Sequence, residues 1–360
     1  MKRNQIIDLA KLIFCICVLF DHTSSLKNGI GDGYPVIMQF GFLSVEFFFI
    51  VSGFLMTKKA FSDESDNLGK STLHFVSRKF MIIYPFFLVA WVIAFISDIF
   101  IAQSSLIDVL VHLLMSVPFH FQLQMTGIPC YDVIPTTWYI SAMLICMVFM
   151  YPLIKKFRYS FVFIAAPVLA MLSYGYLGEM IGKLAAVEPL EGTFIHSGLF
   201  RGVAGMSLGS LSYGVCQKMK SAKFSKRGYI VCTVAEIASY LAAILLMFSQ
   251  SRFRPDFVVV FFLFVAVTIS FSNVSYTSRI FKKEHPLIGQ YSLTLYLADA
   301  PSRTIVKNVF ADLNRMQQII PAFILTFVMG TVILVLGRLV KKCFAKAKSR
   351  IFVNAIEAHN

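Results

Sequence analysis

The chain has 360 residues, 57% hydrophobic and only 14% charged, with a formal net charge of +14. Soluble domains are nearer a quarter charged, so an ordinary soluble domain is excluded and a polytopic membrane protein is expected. The basic excess does not imply nucleic-acid binding, because it is distributed by loop.

The first apolar run, 6–25, is long enough to span a bilayer yet carries Asp8, Lys11, Asp21 and His22. Ionisable groups within a span cost about 3 kcal/mol each on insertion scales, which makes them functional candidates. Lys11 and His22 are eleven positions apart, three turns plus about 20°, so they share a face and stand about 16 Å apart along the axis. Asp8 lies i,i+3 from Lys11, in reach of an ion pair. Lys2 and Arg3 precede the run as in a signal peptide. Asp8 and Lys11 interrupt it and no small-x-small cleavage site follows, so an uncleaved anchor is expected.

Ten spans are predicted: 6–25, 38–57, 80–99, 137–154, 160–177, 199–217, 229–248, 257–273, 287–306 and 319–340. Basic residues concentrate in alternate links, at 58–59, 70–79, 155–158, 218–227, 279–283 and 341–350. The positive-inside rule puts those links and both termini in the cytoplasm. An eleventh apolar stretch, 105–121, would invert every later basic loop if it spanned. It also holds Asp108, His112 and His120, so an outer amphipathic or re-entrant helix is expected. The reading is one transmembrane domain over 1–345 with a short cytoplasmic tail at 346–360. The seven cysteines form no CxxC pair and read as small apolar fillers.

In the second span Glu46 and Gly53 are seven apart and share a face. A carboxylate there needs a cation or imidazole, and His22 is the partner the first span offers. Ser52 and Gly53 suit close helix approach or backbone exposed to a ligand. Arg78, Lys79, Tyr84 and Pro85 are expected to open the third helix. Arg78 and Lys79 either hold phosphates or simply anchor the cytoplasmic side. Trp138 and Tyr139 read as interfacial anchors. Arg201, with Gly205 and Gly209 behind it, is expected to pair with Glu188, Glu191 or an anionic sugar. The ninth span carries a polar run from Tyr291 to Asp299.

In order and spacing these residues resemble the membrane-bound acyltransferase-3 family. Asp8, Lys11 and His22 resemble its Asp-x-x-(Arg)-x10-His signature. Gly41, Val45, Glu46, Phe47, Phe48, Ser52, Gly53 and Phe54 resemble its Gly-x-x-x-Val-(Asp/Glu)-x-Phe-Phe-x-x-Ser-Gly-Phe run, the most specific piece. Arg78 to Pro85, Thr137-Trp138-Tyr139 and Phe200-Arg201-Gly202 resemble later landmarks. The resemblance implies ten spans, an acyl donor that is commonly acetyl-coenzyme A, and an acceptor hydroxyl, often on a sugar, on the outer side. Two positions depart from the pattern. Lys11 stands where the family usually has Arg, keeping the charge without the bidentate fork. Asp299 stands where a Tyr-Leu-x-His element usually has His.

The resulting expectation is an O-acyltransferase of the cell membrane, acting on an extracytoplasmic or lipid-linked glycan. It has acyl-CoA as co-substrate, no permanently bound cofactor and no metal. His22 serves as base or first accepts the acyl group, with Glu46 fixing its tautomer. Lys11, Arg78 and Tyr84 hold the donor. Asp8, Ser52, Gly53, Trp138, Arg201 and Asp299 support the site. The alternative is a secondary transporter or flippase-like protein of glycan export, which would also carry ionisable groups in its spans. A non-catalytic scaffold, and a metal enzyme using His22, His112, His120 and His196 without recognisable ligand spacing, are weaker readings.

Overall fold

A computed structural model describes residues 4–23, 38–102, 105–116, 124–126, 133–182, 184, 189–190, 195–250, 254–281 and 286–357. The described residues are helical apart from turns and one isolated bridge, Pro189 to His196. The α-helices longer than one turn are α1 Gln5–Thr23, α2 Ser44–Phe61, α3 Leu68–Ala102, α4 Leu106–Ser116, α5 Trp138–Ser160, α6 Ala166–Met180, α7 Ser197–Ser221, α8 Lys226–Phe248, α9 Asp256–Ser272, α10 Pro286–Val309 and α11 Arg315–Glu357.

Each of the ten predicted ranges is largely helix. Among the described residues five stretches are long and apolar enough to cross a membrane: Gly41–Phe61, Leu68–Ile99, Pro135–Met180, Lys226–Phe248 and Met316–Lys346. Their burial separates inner from outer helices. The stretch containing α2 is 78% buried, whereas those of α8 and α11 are only 22% buried. Outer helices must be apolar on most faces. Inner ones can carry polar groups because other helices satisfy them. That is where α1, α7 and α10 belong, and they hold the charged and small polar residues.

α2 is the centre of the bundle and contributes to both large apolar cores. It packs most extensively on α7. A Cβ on Gly53 would strike the Met206 backbone, and one on Gly209 would strike the Ile50 carbonyl. Both glycines therefore serve close helix approach, which is one of the two uses expected of Gly53. α1 lies between α2 and α10, and α10 packs in turn on α3 and α11.

Local chemistry sets the ends. Ser225 caps α8 by accepting from Gly228 N at 3.2 Å. Asn273 closes α9 in the left-handed region, φ 59°. Arg158, at φ 41°, kinks the last turn of α5 before the chain runs on through Phe161–Ala165 into α6. The stretch 105–121 is not a span over its described part: α4 has eleven residues. The predicted start of the third helix is too late. α3 begins at Leu68, so Arg78 and Lys79 lie about three turns inside it. The link before them is short and polar, but its residues from Leu68 onward continue the helix without a breaker.

Candidate active site

His22 ends α1, and its Nδ1 lies 2.6 Å from Asp299 Oδ2 on α10. Asp299 is buried and receives a second bond, from Arg303 Nε one turn further along α10, at 3.1 Å. The His22 side chain keeps 26% exposure. A carboxylate can only accept, so Nδ1 carries the hydrogen and Nε2 is the nitrogen that can take a proton. The geometry corrects the sequence reading here. The carboxylate that orients His22 is Asp299 and not Glu46.

Glu46 is committed elsewhere. Arg201 Nε donates to its Oε1 at 2.8 Å, and the Tyr174 hydroxyl donates to its Oε2 at 2.6 Å. Arg201 also donates through Nη2 to the Phe42 carbonyl at 3.1 Å, and its guanidinium lies 5.0 Å from the Trp138 ring centroid. Glu46 and Arg201 are both fully enclosed. Trp138 is therefore part of this inner cluster as well as the start of α5. The sequence offered Arg201 three partners, Glu188, Glu191 or an anionic sugar; its partner is Glu46, and Glu188, Glu191 and His120 lie outside the described residues.

A cavity of about 310 Å³ runs between α1, α2, α3, α5, α10 and α11. Lys11, Lys79 and Lys341 are on its wall, together with aliphatic and aromatic side chains, Ser52, Tyr139 and Tyr296. Ser52 Oγ and Tyr139 OH are 3.0 Å apart, and the Tyr296 hydroxyl donates to the Thr136 carbonyl. His22 is not itself on this wall. The cavity does approach it along both helices. Val18 precedes His22 by four residues and Tyr296 precedes Asp299 by three, and both line the cavity. One turn of helix, about 5–6 Å along the axis, separates the lined region from the imidazole.

Lys11 donates to Asp8 at 3.1 Å, the pair its spacing predicted. Cys15 Sγ donates to the Ser292 carbonyl at 3.3 Å, a further tie between α1 and α10. Among the expected donor residues Lys11 lies on the cavity wall, whereas Arg78 is exposed and lies off it. Its neighbour Lys79 takes that place. Tyr84 also lies off the wall and stacks on Phe80, with ring centroids 4.8 Å apart.

Arg303, Tyr174 and Lys341 were not singled out by the sequence as site residues, whereas Lys79 was already a candidate phosphate ligand beside Arg78. For Arg303 a signal existed: an acid and a base four apart in an apolar helix form a pair on one face. For Tyr174 no local pattern distinguishes it from the other tyrosines.

A family model described as an acyltransferase domain matches residues 4–338. No curated protein and no solved structure gives a significant match. A match over nearly the whole chain, including both halves of the site, decides the matter: the chain belongs to the acyltransferase-3 family.

Proposed function

We propose that this multi-pass protein of the cell membrane is an O-acyltransferase with ten spans and both termini cytoplasmic. It moves an acyl group, expected to be acetyl, from cytoplasmic acyl-CoA to a hydroxyl of an extracytoplasmic or lipid-linked glycan. The observation that carries this reading is the Arg303–Asp299–His22 chain, one turn beyond a cavity with lysines on its wall. Family membership supports the reaction class. The resemblance described above supports the donor and acceptor.

In this reading the acyl arm of the donor lies along the apolar cavity, with Lys11 attracting its anionic part. Asp299 holds His22 Nδ1–H, leaving Nε2 basic. Nε2 removes the proton of the acceptor hydroxyl as that oxygen bonds to the thioester carbonyl carbon. The C–S bond breaks, and the proton passes from Nε2 to the departing thiolate. The products are an ester and a free thiol. A positioned base of this kind contributes about 10²–10⁴-fold in rate. Glu46 and Arg201 hold α2, α6 and α7 in register and do not touch the reactants.

The test is His22→Gln and His22→Ala in membranes supplied with isotope-labelled acetyl-CoA, with surface glycans read by mass spectrometry. Loss of label by at least about 10²-fold at unchanged protein level is the expected result. Wild-type labelling by either variant overturns the reading. Unmodified solute crossing the membrane, with no label joined to it, would instead identify the transporter alternative.

A further inference from the structure

A second cavity, of about 430 Å³, adjoins the one just described, and the side chains of Lys11 and Leu55 line both. The two differ in chemistry. The first is walled mostly by aliphatic and aromatic groups. The second gathers Asn4 just before α1, Asp8 of α1, Lys58 of α2, Lys220 of α7 and Asn273 after α9, with the Phe281 ring beside them. Lys11 is paired with Asp8 at 3.1 Å and so attracts an anion less strongly than a lysine without a carboxylate beside it. Lys58 and Lys220 come from different helices, and among the described residues neither has a carboxylate within ion-pair distance. Two like charges on one concave wall repel each other and favour an anion between them. Lysine is a point-charge binder of phosphate. The Asn4 carboxamide is already engaged, donating to the Ser270 carbonyl at 2.6 Å and accepting from the Ile6 and Ile7 N–H groups, so the Asn273 carboxamide and the Phe281 ring are the groups here that suit a purine's edge and face.

Resting on the reading that acyl-CoA is the donor, we propose that this second cavity is a nucleotide subsite. The 3′-phosphoadenosine diphosphate end of the donor occupies it. Lys58 and Lys220 contact the 3′-phosphate, and the pantetheine arm passes Lys11 into the apolar cavity. The size is suitable, since pockets for molecules of this class run about 300–1,000 Å³. The division also assigns each part of the donor to matching chemistry: charge and ring to the polar cavity, the narrow arm to the apolar one. Lys79 and Lys341, on the wall of the first cavity, are the competing phosphate ligands.

Equilibrium binding to the purified, detergent-solubilised full chain tests this, with CoA, dephospho-CoA and adenosine 3′,5′-bisphosphate as probes. The wild type is expected to bind CoA at least about tenfold tighter than dephospho-CoA, a difference of about 1.4 kcal/mol. Lys58→Ala combined with Lys220→Ala abolishes that preference. It weakens CoA and the bisphosphate by a similar factor and leaves dephospho-CoA within about twofold. Arginine at both positions restores the preference, which a general loss of folding would not allow. A preference that survives the double alanine variant, or that disappears with Lys79→Ala and Lys341→Ala instead, overturns the subsite while leaving the acyl-CoA reading standing. Failure of the wild type to bind any CoA overturns both.

Discussion

Two buried carboxylates in this bundle are each held by an arginine, yet they are suited to different tasks. Glu46 meets Arg201 at 2.8 Å and a tyrosine hydroxyl at 2.6 Å, and Arg201 spends its remaining donors on backbone and an aromatic face. Every partner in that cluster is a group that holds its proton at neutral pH. Asp299 meets Arg303 at 3.1 Å, but its other partner is an imidazole at 2.6 Å with 26% exposure. Imidazole gains and loses a proton near neutrality and has a second nitrogen on the far side of its ring. The first arrangement is closed and ties helices together. The second transmits the orienting effect of a carboxylate to a group at the edge of the enclosed space. Burial and ion pairing alone do not separate a structural cluster from a chemical one; the nature of the last group in the chain does.

The largest expected effect breaks the closed cluster. Arg201→Ala leaves Glu46 enclosed without its cation, which costs about 3–5 kcal/mol. Folded, monodisperse protein after detergent extraction should fall sharply. Replacing the pair together, Arg201→Met with Glu46→Leu, removes both charges and should recover most of the folded protein. If the cluster is purely structural, acyl transfer recovers with it. A double variant that folds and yet transfers nothing would show that Glu46 takes part in the chemistry and would remove the distinction between the two clusters.

The complementary variant is Asp299→Asn. Its amide keeps the shape but can donate toward Nδ1, which favours the wrong imidazole tautomer; in serine proteases the corresponding change costs about 10⁴-fold in kcat. Transfer should drop by at least about 10²-fold, with KM for acyl-CoA and the melting temperature little changed. A fall in melting temperature comparable to that of Arg201→Ala would instead make Asp299 a structural partner like Glu46.

The sequence makes these two clusters only half visible, for a physical reason. That Lys11 and His22 share a helix face follows from helical periodicity within one element, although only Lys11 reaches the cavity wall and His22 lies one turn beyond it. Val18 between them does line the cavity. Partner choice is different. His22 and Asp299 are 277 residues apart, and Glu46 and Arg201 are 155 apart. No local spacing says which carboxylate meets which base once several occur in neighbouring spans. The helices were legible because apolar runs mark their lipid-facing or core segments. Their ends were less so where polar residues continue a helix beyond the apolar part. That is why α3 begins at Leu68 and its Arg78 sits within the helix on an exposed face.

A third carboxylate sharpens the contrast at the smallest scale. Asp63, in the link between α2 and α3, accepts from the Ser71 and Tyr151 hydroxyls and pairs with Lys155 at 3.2 Å. Like Glu46 it is surrounded by donors, but it lies outside the spans and keeps some exposure. The bonds from Ser71 and then Tyr151 lead in holding its carboxyl below the ordinary value of 3.8. A depressed folded-state value means that the unfolded chain takes up the proton first as pH falls. The stabilisation is therefore fully present above the unfolded value and is lost as pH drops through the folded one. Asp63→Asn removes it, which at neutral pH should cost about 1 kcal/mol after solvent screening and lower the melting temperature by about 1–3 °C. Between about pH 5 and pH 2 the wild-type melting temperature should converge on that of the variant. Parallel curves over that window would mean that Asp63 is not held in its ionised form by these donors. Acyl transfer by the variant should stay near wild type, because this cluster, like that of Glu46, ends on groups that do not exchange a proton at neutral pH.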